Sequence, residues 1–289
     1  MGRSSALSRL TLGAMFVTTV IGIAYVPALQ AQSAGRWLEV RRLSGNVTTQ
    51  VGSSRAARIG DRLSAAGHGL TTGRLSSANF TVDTGIGSLA VAQNTQMIVR
   101  QLATLSDGSR VTILDVPRGQ VRIQARSFTH TNSRLELHTP SGVAAVRGTD
   151  FGIAVDEAGK TSVATLEGQV EVSAQSITVP VDAGEVSIIR PGEPPTSTRT
   201  LDRELDIQWQ TQERRAHRLH ISGRIDAANT LFLGAEELAV SRSGYFEGVV
   251  PLANRNRSVV FTVRNPLGES RTHRIRLWQL PDLDRNGSD

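Results

Sequence analysis

Arg118-Gly119-Gln120-Val121-Arg122-Ile123-Gln124-Ala125 sets apolar against polar residues in strict alternation behind a glycine. Period-two alternation sorts side chains onto the two faces of a strand, whereas a helix would place its apolar residues three and four apart. The pattern returns 49 residues later as Glu167-Gly168-Gln169-Val170-Glu171-Val172-Ser173-Ala174, and more faintly as Ser44-Gly45-Asn46-Val47. In each copy glycine stands at a turn immediately before the strand, where positive φ is tolerated. The spacing suits stacked β units, though two full copies do not define a regular solenoid.

The same alternation extends on both sides. Val111 and Ile113, Leu135 and Leu137, then Phe151, Ile153 and Val155 each skip one position, as do Ile177, Val179 and Val181. Asp107-Gly108, Pro117-Arg118-Gly119, Pro140-Ser141-Gly142, Ala158-Gly159-Lys160 and Ala183-Gly184 supply turn signals between these runs. Short strands and frequent turns predict an all-β chain, a β-sandwich or solenoid-like domain over residues 36–190. A Pro/Ser/Thr linker is expected over 191–216, with Leu201, Leu205 and Trp209 spaced by four as a short helix. Residues 217–278 return to strands and read as a small Ig-like β-sandwich, followed by a polar tail over 279–289.

The first residues read as an export signal. Arg3 and Arg9 precede an apolar run from Leu10 to Val26, and small residues surround Ala31, which predicts a signal peptide over 1–31. The rival reading keeps the run as a membrane anchor, but 17 residues diluted by Thr11, Thr18 and Thr19 sit at the lower limit for a span. The protein is therefore expected in the periplasm or outside the cell, with no membrane span after cleavage. It has no cysteine, so burial and backbone hydrogen bonds must hold it without disulfides. Net charge is +6, and Lys160 is the only lysine. The arginines form no block of like charges, which argues against a nucleic-acid partner.

Thr139-Pro140-Ser141-Gly142, then Arg147-Gly148-Thr149-Asp150-Phe151, then Leu166-Glu167-Gly168-Gln169-Val170 follow one another in order. Gly60-Asp61-Arg62-Leu63 and Leu70-Thr71-Thr72-Gly73 stand upstream. The ordered set, over about residues 38–190, resembles the FecR domain family. Of its residues, Thr139, Pro140, Gly142, Arg147, Gly148, Thr149, Phe151 and Gly168 read as structural: glycines for bends, Phe151 as a core anchor, and Arg147 as a partner for buried carbonyls or Asp150. The resemblance implies envelope regulators that relay a signal from outer-membrane transporters to a cytoplasmic σ factor. Only about nine residues precede the apolar run, which is short for a σ-binding region. The C-terminal part is similar to bacterial Ig-like accessory domains.

No set of partners for catalysis assembles around the six histidines, so no catalytic residue, cofactor or enzymatic activity is expected. His217 and His220, three apart, lack a third metal ligand. Asp282, Asp284 and Asn286 match the opening of a calcium loop that ends before its twelfth position, which makes them weak metal candidates. The tryptophans are expected in core or inter-domain packing. The leading expectation is a non-enzymatic binding or scaffold module for an envelope protein or a polysaccharide such as peptidoglycan. Its alternative is a membrane-anchored σ-factor regulator, and a polysaccharide hydrolase is remote.

Overall fold

The computed structural model describes residues 35–83, 85, 87–253 and 257–280. The expected signal peptide and the tail with Asp282, Asp284 and Asn286 lie outside the described residues. The first seventeen strands, in chain order, are β1 (Leu38–Ser44), β2 (Val47–Val51), β3 (Ser53–Ala56), β4 (Arg62–Leu63), β5 (Gly69–Thr72), β6 (Ser77–Val82), β7 (Gly87–Val91), β8 (Gln96–Thr104), β9 (Arg110–Ala125), β10 (Arg134–His138), β11 (Val143–Val146), β12 (Asp150–Val155), β13 (Thr161–Glu167), β14 (Gln169–Ala174), β15 (Ile177–Asp182), β16 (Glu185–Ile189) and β17 (Arg199–Thr200).

They pair into two sheets that share one strand. The first runs β4-β1-β6-β7-β9-β12-β13-β16-β17. The second runs β3-β2-β5-β8-β9-β10-β11-β14-β15. All neighbours are antiparallel except β9 and β10, which run parallel. Apolar residues from the inner faces of both sheets form one core, in which Leu38, Phe80, Leu114, Ile123 and Phe151 are fully buried. Each such side chain contributes about 1.5–3 kcal/mol by leaving water. The expected all-β class is what the chain adopts, as a sandwich.

Strand β9 explains how the two sheets join. Its first half, Val111 to Asp115, lies beside β10 in the second sheet; its second half, Val121 to Ala125, lies beside β7 and β12 in the first. Pro117-Arg118-Gly119, read from sequence as a turn between strands, is a bend within one continuous strand. Gly119 has φ of 89°, a conformation that costs a side-chain-bearing residue about 1–2 kcal/mol. The repeated glycine motif marks the same event elsewhere. Gly45 lies between β1 of the first sheet and β2 of the second, and Gly168 between β13 of the first and β14 of the second. The internal repeat is thus a corner by which the chain changes sheets, not the coil of a solenoid.

The remaining strands are β18 (Gln208–Arg215), β19 (Arg218–Arg224), β20 (Thr230–Leu233), β21 (Glu236–Leu238), β22 (Tyr245–Pro251), β23 (Ser258–Arg264) and β24 (Ser270–Arg276). Sheet β18-β19-β22 and sheet β21-β20-β23-β24 enclose a second core around Leu219, Ile221, Leu231, Phe246 and Phe261. The short helix expected between residues 202 and 215 is absent: 208–215 is β18, paired with β19 on both sides of a register shift at Gln210. Leu205 sits at φ of 55°, which ends any helical path, and Trp209 packs edge-on against Phe246 and Phe261 at 5.7 and 5.3 Å. Of the three residues spaced by four, Leu205 and Trp209 both pack into this second core and Leu201 joins a separate apolar cluster. Trp37 lies under Arg62 at 4.4 Å, whereas Trp278 is 72% exposed and packs in neither core.

Candidate functional site

The signature residues gather where β10, β11 and β12 turn. Thr139 closes its turn twice, its backbone N–H and its hydroxyl both donating to the Gly142 carbonyl at 2.9 and 3.0 Å. Thr161 Oγ1 donates to Thr139 Oγ1 at 2.9 Å, tying the turn to β13. Pro140 needs no donor there, and a methyl group at Gly142 would stand 2.6 Å from the Ser173 carbonyl oxygen. Gly148 turns the chain from the second sheet to the first at φ of 109°, with the Arg126 carbonyl oxygen 2.7 Å from where a Cβ would lie. Gly168 faces Thr149 in the same way, with its notional Cβ 2.9 Å from the threonine methyl. Phe151 is wholly buried.

The charged members are arranged otherwise than the sequence suggested. Arg147 is exposed and does not reach Asp150. Asp150 instead takes the fork of Arg122, Nε to Oδ1 and Nη2 to Oδ2 both at 2.8 Å, and a third bond from Gln124 Nε2 at 2.8 Å. Arg122 sits opposite Gly152 in the β9–β12 register and Gln124 opposite Asp150 itself. Arg122 belongs to the alternating run, where it read simply as the polar phase of a strand. Burial pushes the Asp150 carboxyl up, but the bonds from Arg122 and Gln124 outweigh it and hold the group below its ordinary value.

Arg147 lies at the end of the outer face of the second sheet. Glu136, Ala145, Glu171 and Pro180 stand in one row across β10, β11, β14 and β15. Arg134 and His138 flank Glu136, each at 2.9 Å. A depression of about 470 Å³ opens there, lined among others by Arg134, Glu136, Ala145, Arg147 and Glu171.

The outer face of the first sheet is covered. Gly152, Ala154, Ser162, Ala164 and Ser187 are buried small residues on β12, β13 and β16, and the C-terminal sandwich packs onto that region. Ala164, Val186, Ile188, Leu201, Ala228 and Leu267 form a third apolar cluster, drawn from both bodies. Gln120 Nε2 donates to the carbonyls of Asn265 and Pro266 at 2.7 and 2.9 Å. Arg199 is paired with Asp226 through both carboxylate oxygens. Lys160 Nζ donates to the Ala227 carbonyl at 3.1 Å and stands 3.6 Å from Asp156; burial lowers its pKa against the pull of that carboxylate. Thr196, in the expected linker, is tied to β16 of the first sandwich, where Ile188 N–H and Ser187 Oγ donate to it at 3.0 and 2.8 Å.

The family model described as FecR protein matches residues 68–171, from the start of β5 into β14. Among solved structures, two of a proposed anti-sigma factor from Parabacteroides distasonis ATCC 8503 are similar at 14% and 12% identity. Each covers 50% of this chain and 68% of that one, with a TM-score of 0.39. A polysaccharide lyase is similar at 9% identity over 83% of this chain and 39% of its own, with a TM-score of 0.20. At these TM-scores the likenesses carry no functional argument. No curated protein matches the chain.

Proposed function

We propose that this chain, whose residues 68–171 are a FecR segment, is the partner-reading β module of a FecR-type envelope regulator. The family match supports this regulatory reading over the free-standing scaffold that the sequence first suggested. FecR-type proteins are envelope-associated and generally non-enzymatic. The match falls on the sandwich whose two outer faces differ: the first is occupied by the C-terminal sandwich and the second is open and charged. A partner protein would meet the open face, where Arg147 projects without a role in the core.

Arg147→Glu tests this reading alongside deletion of the gene. The variant should fold normally, lose in-cell crosslinking from that face to its envelope partner, and shift the same σ-dependent transcripts as the deletion. A deletion that leaves every σ-dependent transcript unchanged would remove the proposal.

A further inference from the structure

A second recess lies where the two bodies meet. A cleft of about 570 Å³ opens between the turns around Gly73, Asn94 and Gly119 of the first sandwich and the outer face of β20, β21 and β23 of the second. That volume is within the range of small-ligand sites, roughly 300–1,000 Å³. On the second wall, Glu237, Phe232 and Arg264 come from three neighbouring strands: Phe232 is opposite Glu237 on one side and Thr262 on the other, and Arg264 is opposite Thr230.

The charges on this wall are held unusually. The Arg264 guanidinium lies over the Phe232 ring at 4.8 Å, which occupies its flat face and leaves its N–H edge without a hydrogen bond among the described residues. Glu237, the cross-strand neighbour of Phe232, likewise has neither a hydrogen bond nor an ion pair among the described residues. Both are half-buried: burial lowers the pKa of Arg264 and raises that of Glu237 to about 7. Charges withdrawn from water without close partners destabilise a fold, so a complementary occupant has something to relieve. Glu237 and Arg264 feel each other's charge, and Glu237 that of Lys160, but none of these approaches forms an ion pair. Arg74 and Glu236 approach only to 3.8 Å at its mouth, and Asp156 is engaged with Lys160.

We infer that this cleft binds a di- or tripeptide by its two ends, the terminal carboxylate on the free edge of Arg264 and the terminal ammonium on Glu237. A guanidinium edge matches a carboxylate bidentately, which gives the fork a reason to stay open. Glu237 and Arg264 sit on strands two apart and two residues out of register, which puts roughly 12 Å between their backbones. Two or three extended residues, at about 3.3–3.6 Å each, bridge such a gap once both side chains reach inward, and a single amino acid does not. This inference concerns a different surface from the proposed partner face and stands or falls separately from it.

Titration calorimetry on the full chain provides the test, with dialanine and trialanine, their N-acetylated and C-amidated forms, and free alanine as probes. A free-ended peptide should bind, with each blocked form weaker by about tenfold. Arg264→Gln should erase the difference between free and amidated carboxyl ends. Glu237→Gln should erase the difference between free and acetylated amino ends, and both variants should keep the native circular dichroism spectrum. Equal binding of free and doubly blocked peptides, binding of alanine as tight as dialanine, or no heat from any peptide at about 10 mM would each overturn the assignment.

Discussion

The backbone at Gly152 runs so close beneath Pro266 that a methyl group at position 152 would collide with the Pro266 carbonyl, standing 2.7 Å from its carbon and 2.8 Å from the Leu267 Cα. Gly152 lies in the middle of β12, where the residue's entropy works against the strand. Its presence makes sense only as room for the C-terminal sandwich. Gly152→Ala should therefore cost about 1–3 kcal/mol, the usual range for overpacking. Each kcal/mol lowers Tm by about 2–4 °C in a chain of this size. Gly248→Ala, in an equally regular strand but with its nearest neighbour 4.0 Å away, should leave stability unchanged or slightly raised. Equal melting of the two variants by calorimetry would show that Gly152 is not the seat of the contact.

Seams of this kind are hard to read from sequence because their partners are far apart in the chain. The period-two pattern made the strands legible, and the aliphatic phase of most runs became core, as Val121, Ile123, Phe151 and Ile153 show, whereas in β15 only Val181 is buried and Ile177 is exposed. The repeated glycines were legible as bends, but only three dimensions reveal that each moves the chain to the other sheet. The small residues Gly152, Ala154 and Ala164 looked like the indifferent phase of their strands. All three are buried, and Gly152 and Ala164 lie under Pro266 and Leu267, more than a hundred residues away. Likewise Glu237, Phe232 and Arg264 have no common spacing; only the order β21-β20-β23 brings them side by side.

Asp150→Asn should weaken the corner beside Gly148, because the Arg122 fork and the Gln124 amide then meet a neutral group. Hydrogen bonds to a charged partner are worth about 1.5–3 kcal/mol, so a loss of about 2 kcal/mol near neutral pH is expected from urea unfolding. The carboxyl is held below its ordinary value in the folded state. Its contribution is therefore complete above the unfolded value of about 3.9 and disappears as pH falls through the folded one. The wild-type chain should lose stability in acid more steeply than the variant. Parallel acid limbs would mean that Arg122 does not favour the ionised form.

Gly119→Ala probes the bend that lets β9 serve both sheets. It combines a positive φ with a collision at Thr95, whose Cβ would be 2.7 Å from the new methyl and whose Oγ1 accepts the Gln120 N–H at 2.9 Å. Gly184→Ala carries a similar φ, 83°, with nothing near its Cβ. The second change should cost about 1–2 kcal/mol for backbone alone, and the first about 1–3 kcal/mol more for crowding. Chemical denaturation of the pair separates the two terms. A Gly119 variant no worse than the Gly184 variant would mean that the corner relaxes freely.

Glu237 gives stability an uncommon pH dependence. Burial first, and then the Asp156 carboxylate with help from Glu157, raise its pKa from 4.5 to about 7, while Lys160 and Arg264 pull the other way. A carboxyl that holds its proton more tightly when folded favours the native state most below its unfolded value. Stability should fall as pH rises from about 4.5 and level off above about 7, where the ionised group carries the full cost of burial. Glu237→Gln removes that decline, so the variant should melt with the wild type at about pH 4 and above it at about pH 8. Subtracting one curve from the other cancels Asp156, Glu157, Lys160 and Arg264, which both chains retain. Dialanine should narrow the gap at the higher pH, since an ammonium end answers the ionised carboxylate in the wild type and finds only an amide in the variant. A gap constant across the range would place the carboxyl in water, and a gap that widens with dialanine would place the ammonium elsewhere.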